Sequence, residues 1–351
     1  MSSEHHVSPS LPIKLRRSAP LDALRMIAAL LVVLYHIGPT FPLSAYLSRA
    51  YLSVDFFFML SGFVVTGAYH VRMTKGLNFK SFMLIRLYRL YPLIIFGVLM
   101  SAVVEMLSGS SLTSIALALF IQLFFVPLLV GTTSAYVLNG VQWSLTFELL
   151  ANASHRLIQP CMSRTRLFWL IALSGLAELY AAHHFGNLVI GHTAKTFFWG
   201  LVRVAFPYVT GASMCLLHQQ YGRVFRRGFF AVILTLPLAI LGSSLVHTWW
   251  VDPFIVMAIF PLVLWFGAST TCPSRVSKLA VAGGALSYAL YAVHIPTLNA
   301  VWLYAGSSSK QSPLLWSGIA FAATLLSATL SIWLIDNPIQ RWLKHGRGRV
   351  A

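Results

Sequence analysis

Long unbroken apolar runs, rather than alternating positions, dominate the hydrophobic pattern of this chain. A helix needs about 20 apolar residues to cross a hydrocarbon core. Runs of that kind predict spans at 20–38, 51–70, 86–105, from 143 to the polar stretch at 155, and at 167–185, 197–218, 229–247, 253–270, 280–304 and 314–335. Short basic or polar segments separate them. Gly38 and Pro39 end the first run, and Arg86-Leu-Tyr-Arg-Leu-Tyr-Pro92 opens the third. A membrane β-barrel would show short period-two alternation instead.

Residues 112–131 are equally apolar but create a parity problem. If they cross fully, the basic loop at 156–166 and every second basic loop after it fall outside, against the positive-inside rule. If they re-enter and return, both termini are inside, and 20 of the 25 Lys and Arg lie on or beside the cytoplasmic face. Arg49, Lys195 and Lys310 are then external, with Arg25 and Arg203 inside spans. We therefore expect an all-α polytopic membrane protein of about ten transmembrane helices plus a re-entrant segment. Re-entrant backbone is tolerated only where protein or a wet cavity shields it, which predicts a cavity near 132–143. Residues 1–19, with Lys14, Arg16 and Arg17, read as a mobile basic cytoplasmic tail, 20–338 as the membrane domain, and 339–351 as a second basic tail.

Composition sharpens the class. The 351 residues are 58% hydrophobic and 9% charged, where a soluble domain carries about 25% charged residues. The net charge of +17 sits in the loops, so it follows membrane topology rather than nucleic-acid binding. Cys161, Cys215 and Cys272 are scattered and read as packing residues, not as a disulfide framework or a zinc site. His183, His184, His192 and His247 fall in or beside external loops without ligand spacing, so no metal is predicted.

Ionisable residues at membrane depth are costly and mark function by default. Arg25 and His36 lie eleven residues apart in the first span, which places them on nearly one face, separated by roughly 16 Å of rise. On the ten-span topology Arg25, Arg86 and Arg89 lie towards the cytoplasm. His36, Asp55, Glu148 and Arg203 lie in the outer half, and His294 nearer the middle. An Arg cluster suits phosphate, and an outer imidazole near a carboxylate suits proton transfer. Plainer readings stand beside these. Asp22 is one turn before Arg25 and offers a structural ion pair, and Arg86 and Arg89 suit a cytoplasmic helix end. Asp55 can cap its helix. His36 can bond a carbonyl, and Ser287, Tyr291 and His294 form a stripe suited to interhelical hydrogen bonds. Trp249, Trp250, Asp252 and Arg203 near the outer face suit sugar contact or an interfacial belt.

Five segments together resemble the integral-membrane acyltransferase family 3, the bacterial O-acetyltransferases of surface carbohydrates and related glycosylated acceptors. They are Arg25 with His36, Val54-Asp-Phe-Phe-Phe-Met-Leu-Ser-Gly-Phe63, Arg86 and Arg89 with Pro92, Trp143-Ser-Leu-Thr-Phe-Glu148, and Ser287-Tyr288 with Tyr291, His294 and Pro296. Asp336-Asn-Pro338 departs from the Glu that many members carry. The resemblance implies acyl-CoA, usually acetyl-CoA, as co-substrate, with no permanently bound cofactor. It implies a carbohydrate acceptor such as a surface polysaccharide or a lipid-linked glycan, and a place in the bacterial inner membrane. On it, Arg25, Arg86 and Arg89 would hold the donor and His36 would be the base or acyl carrier. Glu148, or Asp55, would orient the imidazole. Ser61, Ser144, Tyr291, His294 and Arg203 remain as oxyanion or substrate residues. A transporter or flippase using Arg25, His36 and Glu148 as a relay is the alternative from another class.

Overall fold

The computed structural model describes residues 18–38, 44–130 and 134–347. Lys14, Arg16, Arg17, Pro39 and Arg349 lie outside the described residues, as do 132 and 133 of the expected cavity.

Among the described residues, eleven helical stretches of ten or more residues follow from the apolar runs. They are α1 (Ala19–Ile37), α2 (Ser53–Thr74), α3 (Phe79–Leu107), α4 (Leu112–Leu123), α5 (Gln142–Ile158) and α6 (Arg164–Phe185). The rest are α7 (Trp199–Tyr221), α8 (Phe229–Ser243), α9 (Val251–Ser269), α10 (Ser274–Ala305) and α11 (Pro313–Leu343). Seven helical stretches are long and apolar enough to cross a bilayer alone, which makes this an all-α multi-pass membrane protein. No strand occurs among the described residues. Two π-turns, Ile255–Ile259 in α9 and Ile332–Asp336 in α11, precede Pro261 and Pro338. A proline has no N–H for the i−4 carbonyl, and the widened turn absorbs the mismatch. Helix continues beyond Pro338 to Arg347, so the expected C-terminal tail starts as an extension of the last span.

The re-entrant expectation needs a shorter helix than 112–131. α4 has 12 residues, about 18 Å, well short of the roughly 30 Å hydrocarbon core. It ends where the Leu123 carbonyl accepts from Tyr91 Oη at 3.0 Å, partway along α3. Phe125 turns the chain with φ 58°, and an irregular segment follows, in which Leu128 N donates to Ala135 O at 2.8 Å. Amides satisfy the exposed backbone there. Gln142 Nε2 donates to Gln122 O at 2.6 Å, Asn139 N to Gln122 Oε1 at 3.2 Å, and Asn139 Nδ2 to Ala292 O at 2.9 Å. Such contacts shield non-helical backbone among apolar helices.

α1 stands between two apolar cores. Ala29, Val32 and Val33 pack with α3, α5 and α10, while Leu24, Ala28 and Leu31 pack with α2, α7 and α9. α2 and α7 touch backbone to backbone. A Cβ on Gly62 would lie 2.1 Å from Tyr208 O, and one on Gly211 would lie 1.9 Å from Met59 O. Small residues permit such approach where no hydrophobic effect drives helices together.

Gly211→Val should destabilise the protein by more than about 3 kcal/mol, because the obstructing atoms are backbone and cannot move aside. Gly242→Val, with nothing within 4 Å, should be neutral. Monodispersity and thermal unfolding of the two variants in detergent measure the difference; equal behaviour would refute the close contact.

Candidate active site

The turn after α4 sets the depth of α5, and with it the site. α5 starts at Gln142, already beneath the turn, so Glu148 sits two turns further in. It reaches the level of Arg86 rather than the outer half expected for it. Its Oε1 accepts from Arg86 NH2 at 2.8 Å and from Ser61 Oγ at 2.8 Å. Arg25 pairs with Asp22 at 3.3 Å, as the spacing allowed. Arg25, Arg86, Arg89 and Glu148 all lie within electrostatic reach of one another. Arg89 is exposed and carries no hydrogen bond or ion pair among the described residues, although Asp336 lies close enough to interact with it. The three arginines therefore do converge.

Above them, Ser144 and Tyr291 form one hydrogen-bonded unit. Ser144 Oγ donates to Val141 O at 3.1 Å, so the 2.5 Å contact with Tyr291 Oη has the tyrosine as donor. Ser61, Ser144 and Tyr291, read as oxyanion donors, thus all have their protons committed, to Glu148, Val141 and Ser144. Ser287 is occupied too, donating to Gly284 O at 2.9 Å.

His36 is half-buried, and its Nδ1 lies 2.9 Å from Val32 O. A carbonyl can only accept, so Nδ1 carries the proton and Nε2 has the lone pair. The orienting group is therefore the helix's own carbonyl, not Glu148 or Asp55 as the sequence suggested. Its ring neighbours are Tyr35, at 5.1 Å between centroids, and His294, at 4.9 Å. His294 was expected nearer mid-membrane.

Asp55 is occupied elsewhere. It binds Arg203 in a fork, with Nε to Oδ1 at 2.8 Å and NH2 to Oδ2 at 2.7 Å, and also accepts from its own backbone N–H in the first turn of α2. Arg203 also donates to Ile190 O at 3.1 Å and Tyr51 O at 3.1 Å. The rings of Tyr51 and Trp143 cover it at 5.6 and 5.1 Å. At 2% exposure it is a structural cation rather than a sugar contact. Asp252, also read as an outer-face sugar residue, is 0% exposed. It binds Arg49, Tyr51 Oη and, at 2.8 Å, Leu188 N. Trp249 and Trp250 remain at the surface.

Two groups had no legible role in the sequence. Gln122, Asn139 and Gln142 hold the turn after α4, and a buried Gln within an apolar run was the available signal. His192 lies in the loop between α6 and α7, close enough to His36 to act on it electrostatically. Burial and the Arg203 charge keep its imidazole below the ordinary histidine value. No spacing in the sequence pointed to that proximity. No group of three or more metal-ligating side chains occurs among the described residues.

Residues 19–334 match the profile of an acyltransferase domain. The chain belongs to acyltransferase family 3. A relative, "Protein 2 in picA locus" of Rhizobium radiobacter, is 31% identical to this acyltransferase over 182 residues, covering 47% of this chain and 94% of that protein. No solved structure matches the family member described here. Membership makes it a membrane acyltransferase, and the convergent arginines and the oriented His36 lie inside the matched range.

Asp55→Leu should cost about 3–5 kcal/mol, since it strands a buried guanidinium, while Asp55→Leu with Arg203→Leu should recover much of that loss. Thermal unfolding of the purified variants decides it. A double variant no better than the single one would remove the structural assignment of the pair.

Proposed function

We propose that this acyltransferase moves an acetyl group from acetyl-CoA, bound from the cytoplasmic side of a bacterial inner membrane, to a hydroxyl of a carbohydrate. The observation that carries the reading is His36, whose Nδ1 proton is held by Val32 O, leaving Nε2 as a base. It stands on the same helix as Arg25 and eleven residues beyond it. The positive-inside distribution supports cytoplasmic termini, and the family's usual acceptors support a carbohydrate such as a surface polysaccharide or lipid-linked glycan.

Arg25, Arg86 and Arg89 hold the phosphates of the donor, for which guanidinium is suited by charge and by its planar fork. Arg89 makes no hydrogen bond among the described residues and has all its donors free; Arg86 is held through NH2 by Glu148, which thereby fixes its position. The acceptor O–H gives its proton to His36 Nε2 as the oxygen attacks the thioester carbonyl carbon. The tetrahedral intermediate collapses with cleavage of the C–S bond. The departing thiolate takes the proton from Nε2, and the imidazole returns to its starting state. Protons and charge balance without a further reactant.

The test uses purified protein, labelled acetyl-CoA and membranes from a strain lacking the gene as the acceptor source. His36→Ala should lower acetyl incorporation into the carbohydrate fraction by about 10²–10⁴-fold without losing acetyl-CoA binding. Incorporation at the wild-type level would refute the base assignment. Wild-type protein that binds no acetyl-CoA and transfers nothing would favour transport instead. Arg89→Ala should raise KM for acetyl-CoA about tenfold with kcat nearly unchanged, the pattern of lost ground-state binding; a fall in kcat alone would move Arg89 out of the donor site.

A further inference from the structure

His294 repeats the arrangement of His36 on the facing helix. It is 0% exposed, and its Nδ1 lies 3.0 Å from Leu290 O and 2.9 Å from Tyr291 O. Both oxygens can only accept, so the proton is on Nδ1 and Nε2 is an acceptor. That Nε2 makes no hydrogen bond to any protein group. A buried acceptor without a partner is rare and asks for an explanation. The two imidazole rings are 4.9 Å apart between centroids at 59°. Each is tethered to its own helix through Nδ1, which turns both Nε2 edges away from their tethers. The neutral pair thus has two acceptors and no donor. A single added proton on His36 makes it complementary.

We infer that His294 is the proton-sharing partner of His36. When the acceptor hydroxyl proton reaches His36 Nε2, the new N–H donates to His294 Nε2, which stabilises the imidazolium until the leaving thiolate takes the proton back. The inference rests on His36 being the base. No carboxylate bonds either imidazole: Glu148 is held by Arg86 and Ser61, Asp55 by Arg203, and buried Glu178 lies beside Arg203 and Asp55. Tyr291, beside His294 at 5.8 Å between centroids, gives its proton to Ser144. The other titratable groups around the pair are Tyr35 against His36, His192 in the loop above, and Arg203 behind, neutralised by Asp55. α8, and α11 through Ser331, carry no ionisable side chain.

His294 is accordingly a positioning residue, and three variants of the full-length protein test it with the acetyl-CoA and membrane assay. His294→Phe keeps a ring but removes the acceptor; His294→Gln keeps an acceptor oxygen but cannot hold a proton. The expected result is kcat lowered at least about tenfold in His294→Phe, less in His294→Gln, with KM for acetyl-CoA unchanged in both. The acid limb of the pH–rate profile should move to lower pH in His294→Phe and less far in His294→Gln, because the protonated form of His36 loses its acceptor in the first and exchanges it for a weaker one in the second. Equal losses in the two variants with an unmoved acid limb would overturn the proposal, as would a rise in KM with kcat preserved. If His294→Phe does not fold, an unmoved limb in His294→Gln overturns it alone. His36→Ala separates the two levels. An active His36→Ala removes the base assignment and the pair with it; an inactive His36→Ala beside a fully active His294→Phe removes the pair only.

Discussion

A charge inside a bilayer has to find its opposite, and that requirement decides which helices stand together here. Asp22 meets Arg25 within α1, Asp55 on α2 meets Arg203 on α7, Arg86 on α3 meets Glu148 on α5, and Arg49 meets Asp252 at the start of α9. Three of the four pairs join different elements. The α2–α7 glycine contact is the steric counterpart of the Asp55–Arg203 fork, since the fork is short only because the backbones touch. Removing a partner from such a pair exposes a full desolvation cost, so these contacts act as registry marks for the bundle.

Beside these matched charges, the site keeps groups with open hydrogen bonding. Arg89 has free donors, and the Nε2 edges of His36 and His294 have acceptors without donors. They lie at opposite ends of the polar column made by Glu148, Ser144 and Tyr291. Catalysis by proton transfer needs such unfinished hydrogen bonding, because a fully satisfied group has no reason to react.

The helices were legible because a bilayer tolerates little else than apolar helix. Arg25 and His36 were legible because eleven residues of helix fix their relative placement. The partner of Glu148 was not. It depends on how far α5 is pushed inward by the turn after α4, and that turn rests on Gln122, Asn139 and Gln142, whose mutual hydrogen bonds have no periodic signature. Asp55 was half legible for a related reason. Its position at a helix start suggested a local backbone contact, which it makes, but its charge partner is 148 residues away, beyond the reach of any pattern. The carbonyl of Val32 as the tether of His36 was legible, since an imidazole can always reach back one helical turn.

The sequence distance of the Asp55–Arg203 pair also bears on how the protein is made. Spans enter the membrane in order of synthesis, and α2 is delivered long before α7 exists. Asp55 therefore waits in or beside the insertion machinery without its guanidinium, as Arg86 waits for Glu148. The early helices are marginal occupants of lipid until the later ones arrive, so assembly of the bundle is a delayed event, completed from the C-terminal half back onto the N-terminal half.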